Sequence, residues 1–186
     1  MDQRLSWVGI GGLGLLYTSA GAQCGWLPGW PSPTLSFNSS NAGTVRAMQA
    51  YDPDGPGPLS PRLVIAGQFD NVEGTTCRSL AMWDGTRWTG PTTGTTWTFD
   101  AVTPFGNDLV VGGIFSAGAG LVNVMRWDGA AFQPLGGGLP GRVRALAVFQ
   151  GQLYAAGDLV NAGGGPDADG IARWDGTQWR SLGTGL

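Results

Sequence analysis

No histidine and no lysine occur in this chain of 186 residues, and Glu73 is its only glutamate. Missing histidine removes the usual general base, the Ser/His and Cys/His nucleophile pairs, and the commonest transition-metal ligand. With arginine as the only base and a formal net charge of −3, nothing in the composition supplies the clustered cations that nucleic acid requires. Lysine and glutamate are good fillers of exposed helical surface, so their scarcity argues against substantial helix. Charged residues make up only 12% of the chain, too few for a solvated, disordered polymer. What is abundant is glycine (34) and tryptophan (9), a composition that suits short strands joined by tight turns. The expected class is all-β.

Long apolar runs are also lacking. Leu5 to Leu16 is uncharged and mostly apolar, but too short to cross a bilayer as a helix. With Arg4 before it and the small-x-small triplet Ala20-Gly21-Ala22 after it, residues 1–22 read as a secretory signal cleaved after Ala22. A mature chain without a membrane span, secreted, periplasmic or on the cell surface, is the consequence. A lipoprotein would use Cys24, although Gln23 before it is not small; a buried N-terminal strand is a further reading. Cys24 and Cys77 are the only cysteines, so export favours a single disulfide joining the N-terminal segment to the first repeat; two unpaired buried cysteines are the alternative. Residues 23–41 are rich in Pro and Ser and carry Trp26 and Trp30; Pro28, Pro31 and Pro33 exclude a helix or a central strand, leaving a linker or an edge strand.

The remaining chain is organised around a tripeptide that occurs three times: Trp83-Asp84-Gly85, Trp127-Asp128-Gly129 and Trp174-Asp175-Gly176. The fifth residue after each Trp is again aromatic: Trp88, Phe132 and Trp179. Asp-Gly between β-prone flanks signals a hairpin. With Asp and Gly as its two central residues, Trp83 would pair with Thr86 and Ala81 with Trp88, which makes Trp83 and Trp88 a diagonal pair on one face. Upstream of each tripeptide lie two more apolar segments. Strand a is expected at Val45–Tyr51, Phe99–Phe105 and Val143–Phe149; strand b at Leu63–Gly67, Leu109–Gly113 and Leu153–Gly157. Strand c ends in the Trp and strand d carries the second aromatic. From Trp83 to Ala101, and from Trp127 to Ala145, is 18 residues in both cases. The a–b connection is a short turn in the second and third units and an insertion, Asp52 to Arg62, in the first.

Four short strands in a unit of about 44 residues, each with an aromatic pair, is a blade-like period. The expected architecture is three consecutive four-stranded antiparallel blades of an incomplete β-propeller, at about 42–90, 91–138 and 139–186. Glycines at the ends of strand b would permit close blade-to-blade approach. The pattern resembles kelch-like β-propellers, in which a Gly doublet closes strand b and a Trp follows on a later strand. The doublet is intact at Gly112-Gly113 and reads Ala66-Gly67 and Ala156-Gly157 elsewhere. Ile171-Ala172-Arg173-Trp174-Asp175-Gly176, followed by Trp179 and Ser181-Leu182-Gly183, is similar to repeats of secreted bacterial proteins and of the fungal cortical cell-polarity marker family. The resemblance implies a fold rather than an activity, and copper-radical oxidases on kelch-type propellers need histidine ligands that this chain lacks.

Two Asp-rich tips are candidate calcium loops, since alternating carboxylates supply hard oxygen ligands: Asp52 and Asp54 before Gly55, and Asp167 and Asp169 before Gly170. Each lacks the third acid and the distal Glu, so solvated Asx turns are the alternative. In a meander the two tips belong to opposite rims. The Trp pairs are read as packing between blades, with sugar stacking as the alternative. Trp97 stands where the other repeats have Gly43 and Gly141, which makes it a candidate surface-binding aromatic. No catalytic residue and no cofactor emerges beyond the calcium candidates. The expected function is a secreted or surface-attached, non-catalytic binding or scaffold module with a protein or glycan partner. A structural repeat protein of the cell envelope and an Asp-based hydrolase or lyase are the alternatives. Three blades do not close a ring, so a longer propeller or a homo-oligomer is expected.

Overall fold

The alternation of apolar and polar residues, with glycine at the turns, produces strands throughout. The computed structural model describes residues 35–37, 41–92, 97–116, 122–162 and 170–182, all within a compact unit spanning 33–186. The described residues form sixteen strands: β1 (Leu35–Phe37), β2 (Asn41–Ala42), β3 (Thr44–Tyr51), β4 (Arg62–Gln68), β5 (Asn71–Val72), β6 (Thr75–Thr76), β7 (Leu80–Trp83), β8 (Trp88–Thr89), β9 (Thr98–Phe105), β10 (Asp108–Ser116), β11 (Val122–Trp127), β12 (Phe132–Pro134), β13 (Gly141–Phe149), β14 (Gln152–Leu159), β15 (Ile171–Trp174) and β16 (Trp179–Ser181). They make four antiparallel sheets, and among the described residues there is no helix.

Three of the sheets repeat one plan. Sheet 1 has the order β3-β4-β7-β8, sheet 2 β9-β10-β11-β12 and sheet 3 β13-β14-β15-β16, so each is a meander of strands a, b, c and d. Equivalent residues hold equivalent registers: Met48 faces Ile65, Val102 faces Val111 and Leu146 faces Ala155. The same irregularity recurs between strands a and b, where the register shifts beside Gly67, Gly113 and Gly157. A Cβ at any of these three would collide with the strand-a carbonyl oxygen of Thr44, Thr98 or Arg142. These glycines therefore admit a bulge within their own sheet, rather than a neighbouring sheet as expected. Gly112 does serve close approach between sheets, because a Cβ there would strike Val143 Cγ1 and lie 3.4 Å from Leu146 Cδ1.

Alternation along each strand sends one set of side chains to each neighbouring sheet. Val64, Ala66, Leu80 and Met82 of sheet 1 are buried against Phe99, Val102, Leu109, Val111, Met125 and Trp127 of sheet 2. From the opposite face of sheet 2, Val110 and Val124 pack with Val143, Leu153, Ala155 and Trp174 of sheet 3. Burying a side chain of this size contributes roughly 1.5–3 kcal/mol. The inner strands are also tied by charge. Asp100 on β9 accepts from Arg142 of sheet 3 at 2.6 and 2.8 Å and from Arg46 of sheet 1 at 3.2 Å.

The fourth sheet was not anticipated from the sequence. Its order is β2-β1-β5-β6, and the β5–β6 hairpin lies within the b–c connection of the first repeat. Leu35–Phe37, in the segment expected to be a linker or an edge strand, pairs on both sides, with β2 and with β5. Phe69, Val72 and Cys77 of this connection pack on Ile65, Ala81 and Trp88, covering part of the outward face of sheet 1.

Candidate functional site

The tripeptide turns lie at one rim, and their register differs from the expectation by one residue. Trp83 pairs directly with Trp88, Trp127 with Phe132 and Trp174 with Trp179. The Asp is therefore the first residue of a four-residue loop, and the centre of the turn is Gly85-Thr86, Gly129-Ala130 and Gly176-Thr177. Only the glycine has positive φ (100°, 96° and 102°), which fits the type II′ requirement of glycine at the first central position. The Asp carboxylate holds the turn from outside its centre. Asp84 Oδ1 accepts from the N–H of Thr86 and of Arg87 at 2.8 and 2.9 Å, and Asp128 and Asp175 do the same in their own turns. This capping geometry is more favourable to Asp than the central position that the Asp-Gly dipeptide suggests.

Because the aromatics are directly opposed, their rings meet at a tilt of 45° for Trp83–Trp88, 59° for Trp127–Phe132 and 58° for Trp174–Trp179, with centroids 5.4, 4.9 and 5.5 Å apart. Trp127, Trp174 and Trp179 are buried; Trp83, Trp88 and Phe132 are half-buried. Trp179 donates its indole N–H to the carbonyl of Leu135 in the preceding repeat at 3.1 Å. The ring of Trp174 lies so close to Gly136 that a Cβ there would approach it to 2.7 Å. Trp97 packs among Phe99, Phe115 and Phe132, with centroids 5.4–5.9 Å away, so this half-buried ring is held against the core between sheets 1 and 2 rather than standing free of it.

The turn carboxylates are held well below the ordinary range. For Asp84 the chief cause is the Thr86 hydroxyl, followed by the turn N–H groups; for Asp128 it is the N–H groups of Ala131 and Ala130; for Asp175 it is Arg180, then the turn N–H groups. Asp158 is likewise lowered by its bidentate partner Arg144. Such acids are fixed anions near neutrality and poor proton donors or acceptors.

Two grooves open at this rim, one between each pair of neighbouring sheets. The first is lined by Arg62, Asp84, Arg87, Thr89 and Trp127, the second by Asn107, Asp108, Arg126, Leu135 and Trp174. The indole N–H of Trp127 is buried and has no hydrogen-bond partner among the described residues. In the second groove Arg126 is fixed by Asp108 at 2.6 Å. Residues at equivalent positions differ: Arg62, Asp108 and Gln152 open strand b, while Met82, Arg126 and Arg173 precede the Trp.

The calcium candidates Asp52 and Asp54 are engaged in closing their own loop. Asp54 Oδ2 accepts from the N–H of Leu59 at 3.1 Å, and Asp52 Oδ1 from that of Asp54 at 3.4 Å. Among the described residues no three His, Cys, Asp or Glu side chains gather to hold a metal. Asp167 and Asp169 lie outside the described residues, as do Cys24 and residues 1–22 with the expected leader. Cys77 is a buried free thiol, pushed up to about 11 by burial. No helix among the described residues is long and apolar enough to cross a membrane.

Two sets of repeated residues escaped the sequence reading. Phe69, Phe115 and Leu159, each two residues after the strand-b glycine, are buried. Ser79, Asn123 and Gly170, each four residues before the Trp, all have positive φ. Ser79 and Asn123 use the resulting kink to reach the next repeat: the Ser79 hydroxyl donates to the carbonyl of Trp97 at 2.7 Å, and Asn123 donates to that of Leu139 at 3.0 Å. Their fixed spacing from glycine and Trp is a signal, but three different residue types at the second position hide it. Compared with protein-family models, curated proteins and solved structures, the chain matches none.

Proposed function

We propose that the chain is a secreted or cell-surface repeat module of the kelch-like β-propeller type, acting as a non-catalytic binding or scaffold domain. The observation that supports this is the separation of repeated from unrepeated residues. Repeated residues are spent on turns, bulges and packing between sheets. Unrepeated ones gather at the inter-sheet grooves, where guanidinium groups of Arg62, Arg87 and Arg126 lie beside Trp127 and Trp174. Planar donors next to an indole suit a hydroxyl-rich or acidic partner, a glycan or a protein surface.

Glycan and protein arrays probed with the full chain test this reading. Selective binding that falls at least tenfold in Arg62→Ala or Arg126→Ala is the expected result. Selective binding to nothing on either array would leave the structural envelope protein as the better account. If any hydrolase or lyase turnover were found, replacing Asp52, Asp54, Asp167 and Asp169 with Asn would test their part in it, and calorimetry with calcium would test the same carboxylates as ligands. Sequencing of the exported product, expected to begin at Gln23, tests the leader.

A further inference from the structure

The three repeated sheets meet through one interface, which the molecule forms twice. In each case strand a of the following sheet lies against strands a and b of the preceding sheet: β9 on β3 and β4, and β13 on β9 and β10. Between sheets 2 and 3, Val143 and Leu146 enter the space that Gly112 leaves open. Phe99 and Val102 occupy the same register positions in sheet 2, and both are buried with Ala66, the counterpart of Gly112 in sheet 1. At the rim, the preceding sheet sends an aromatic over the following one. Tyr51 is 6% exposed and donates its hydroxyl to the carbonyl of Asn107 at 2.5 Å, and Phe105 packs into the core shared with sheet 3.

Among the described residues, each half of this interface is present once more without its complement. On the outward face of sheet 1, Val45 and Met48 hold the positions of Phe99 and Val102, yet Met48 is 63% exposed whereas Val102 is 7% exposed. On the free face of sheet 3, Phe149 holds the position of Tyr51 and Phe105 and is 61% exposed. Beside it Tyr154, Ala156 and Ile171 are half-buried, where their counterparts Val64, Ala66 and Leu80 are fully buried in sheet 1. The small sheet covers Ile65 and Ala81 but leaves Val45, Met48 and Leu63 exposed on the inner strands, the part the repeated interface uses. The insertion that replaces the a–b turn of sheet 1 carries exposed Leu59, at the connection an aromatic in the position of Phe149 would reach.

We propose that the chain self-associates head to tail, the free face of sheet 3 receiving β3 and the outward face of sheet 1 of a second copy. Val45 and Met48 of one copy enter at Ala156 of the other, as Val143 and Leu146 enter at Gly112, and Phe149 covers the partner's insertion. Such an interface joins two different surfaces, so it builds a closed ring or a chain of copies rather than a symmetric face-to-face pair.

Sedimentation equilibrium on the full chain, with Met48→Asp, Phe149→Asp and their mixture, tests the proposal. The unsubstituted chain is expected to have the mass of two copies or more at micromolar concentration, and each variant alone to be monomeric, with association weakened at least tenfold. Mixing the variants is expected to restore a one-to-one pair, because the first keeps an intact sheet 3 face and the second an intact sheet 1 face. A monomeric unsubstituted chain, association untouched by either substitution, or a mixture that fails to recombine would each overturn it. Circular dichroism checks folding, and Met48→Ser with Phe149→Ser serves if either Asp variant unfolds.

Discussion

Asp84, Asp128 and Asp175 show how a single side chain sets a turn. Each carboxylate gathers the N–H groups of the third and fourth loop residues, and each is held below the usual carboxylate range by those bonds and a side-chain donor. The anion is favoured by the folded state, so protonation favours unfolding. The contribution is complete above the unfolded carboxylate value of about 3.9 and is lost as pH falls through the lower folded values. The melting temperature should therefore be level near neutrality and fall progressively below about pH 4. In the triple variant Asp84→Asn, Asp128→Asn, Asp175→Asn, it should be lower at pH 7 and less steep in acid. Cys77 has the opposite sign: its thiol is raised by burial, so its contribution fades as pH climbs from the unfolded value of about 8.5 toward about 11. Native Cys77 should resist a thiol reagent at pH 8 and react once the chain is unfolded. Reaction that appears only after reductant is added would show a bridge instead. The strand-b glycines give a third test. Gly113→Ala should cost about 3 kcal/mol in chemical denaturation, because the new methyl meets a backbone carbonyl. Gly137→Ala, where the added Cβ meets nothing within 4 Å, should be close to neutral.

At the level of elements, strands a to d of each repeat were legible because apolar segments recur at fixed distances from Trp-Asp-Gly, and the observed strands cover them. The turn register was not. Asp-Gly reads equally well as a turn centre or as a cap followed by a centre, and hydrogen bonding from the carboxylate decides for the second. The small sheet was invisible because its strands are two or three residues long, and β1 and β5 are far apart in the chain. Trp97 looked like a departure from the repeat, yet it fills the space beside Phe99, Phe115 and Phe132, which composition alone cannot show. The grooves were beyond the sequence for the same reason, since each is made by two repeats. Asn123 links such neighbours, bonding the N–H of Phe115 at 2.9 Å and the carbonyl of Leu139 at 3.0 Å. Asn123→Ala would leave buried groups unpaired and should cost about 1–3 kcal/mol, read from the midpoint of urea unfolding. Asn123→Asp should restore the bond to Phe115 but not the one to Leu139.

At the scale of the whole molecule, the described residues use one interface twice and carry each of its halves once more alone. The same apolar positions are therefore buried or half-buried in two sheets and exposed in the third: Met48 differs from Val102, and Phe149 from Tyr51, in what lies over them rather than in chemistry. Trapping by disulfide tests which faces meet. In chains carrying Cys24→Ser and Cys77→Ala, one variant has Met48→Cys and another Ala156→Cys, and the two are mixed under mild oxidation. A covalent pair that forms between the two variants, and several-fold faster than between copies of either one alone, is the predicted result. Equal rates for like and unlike pairs, or no covalent pair in the mixture, would contradict it.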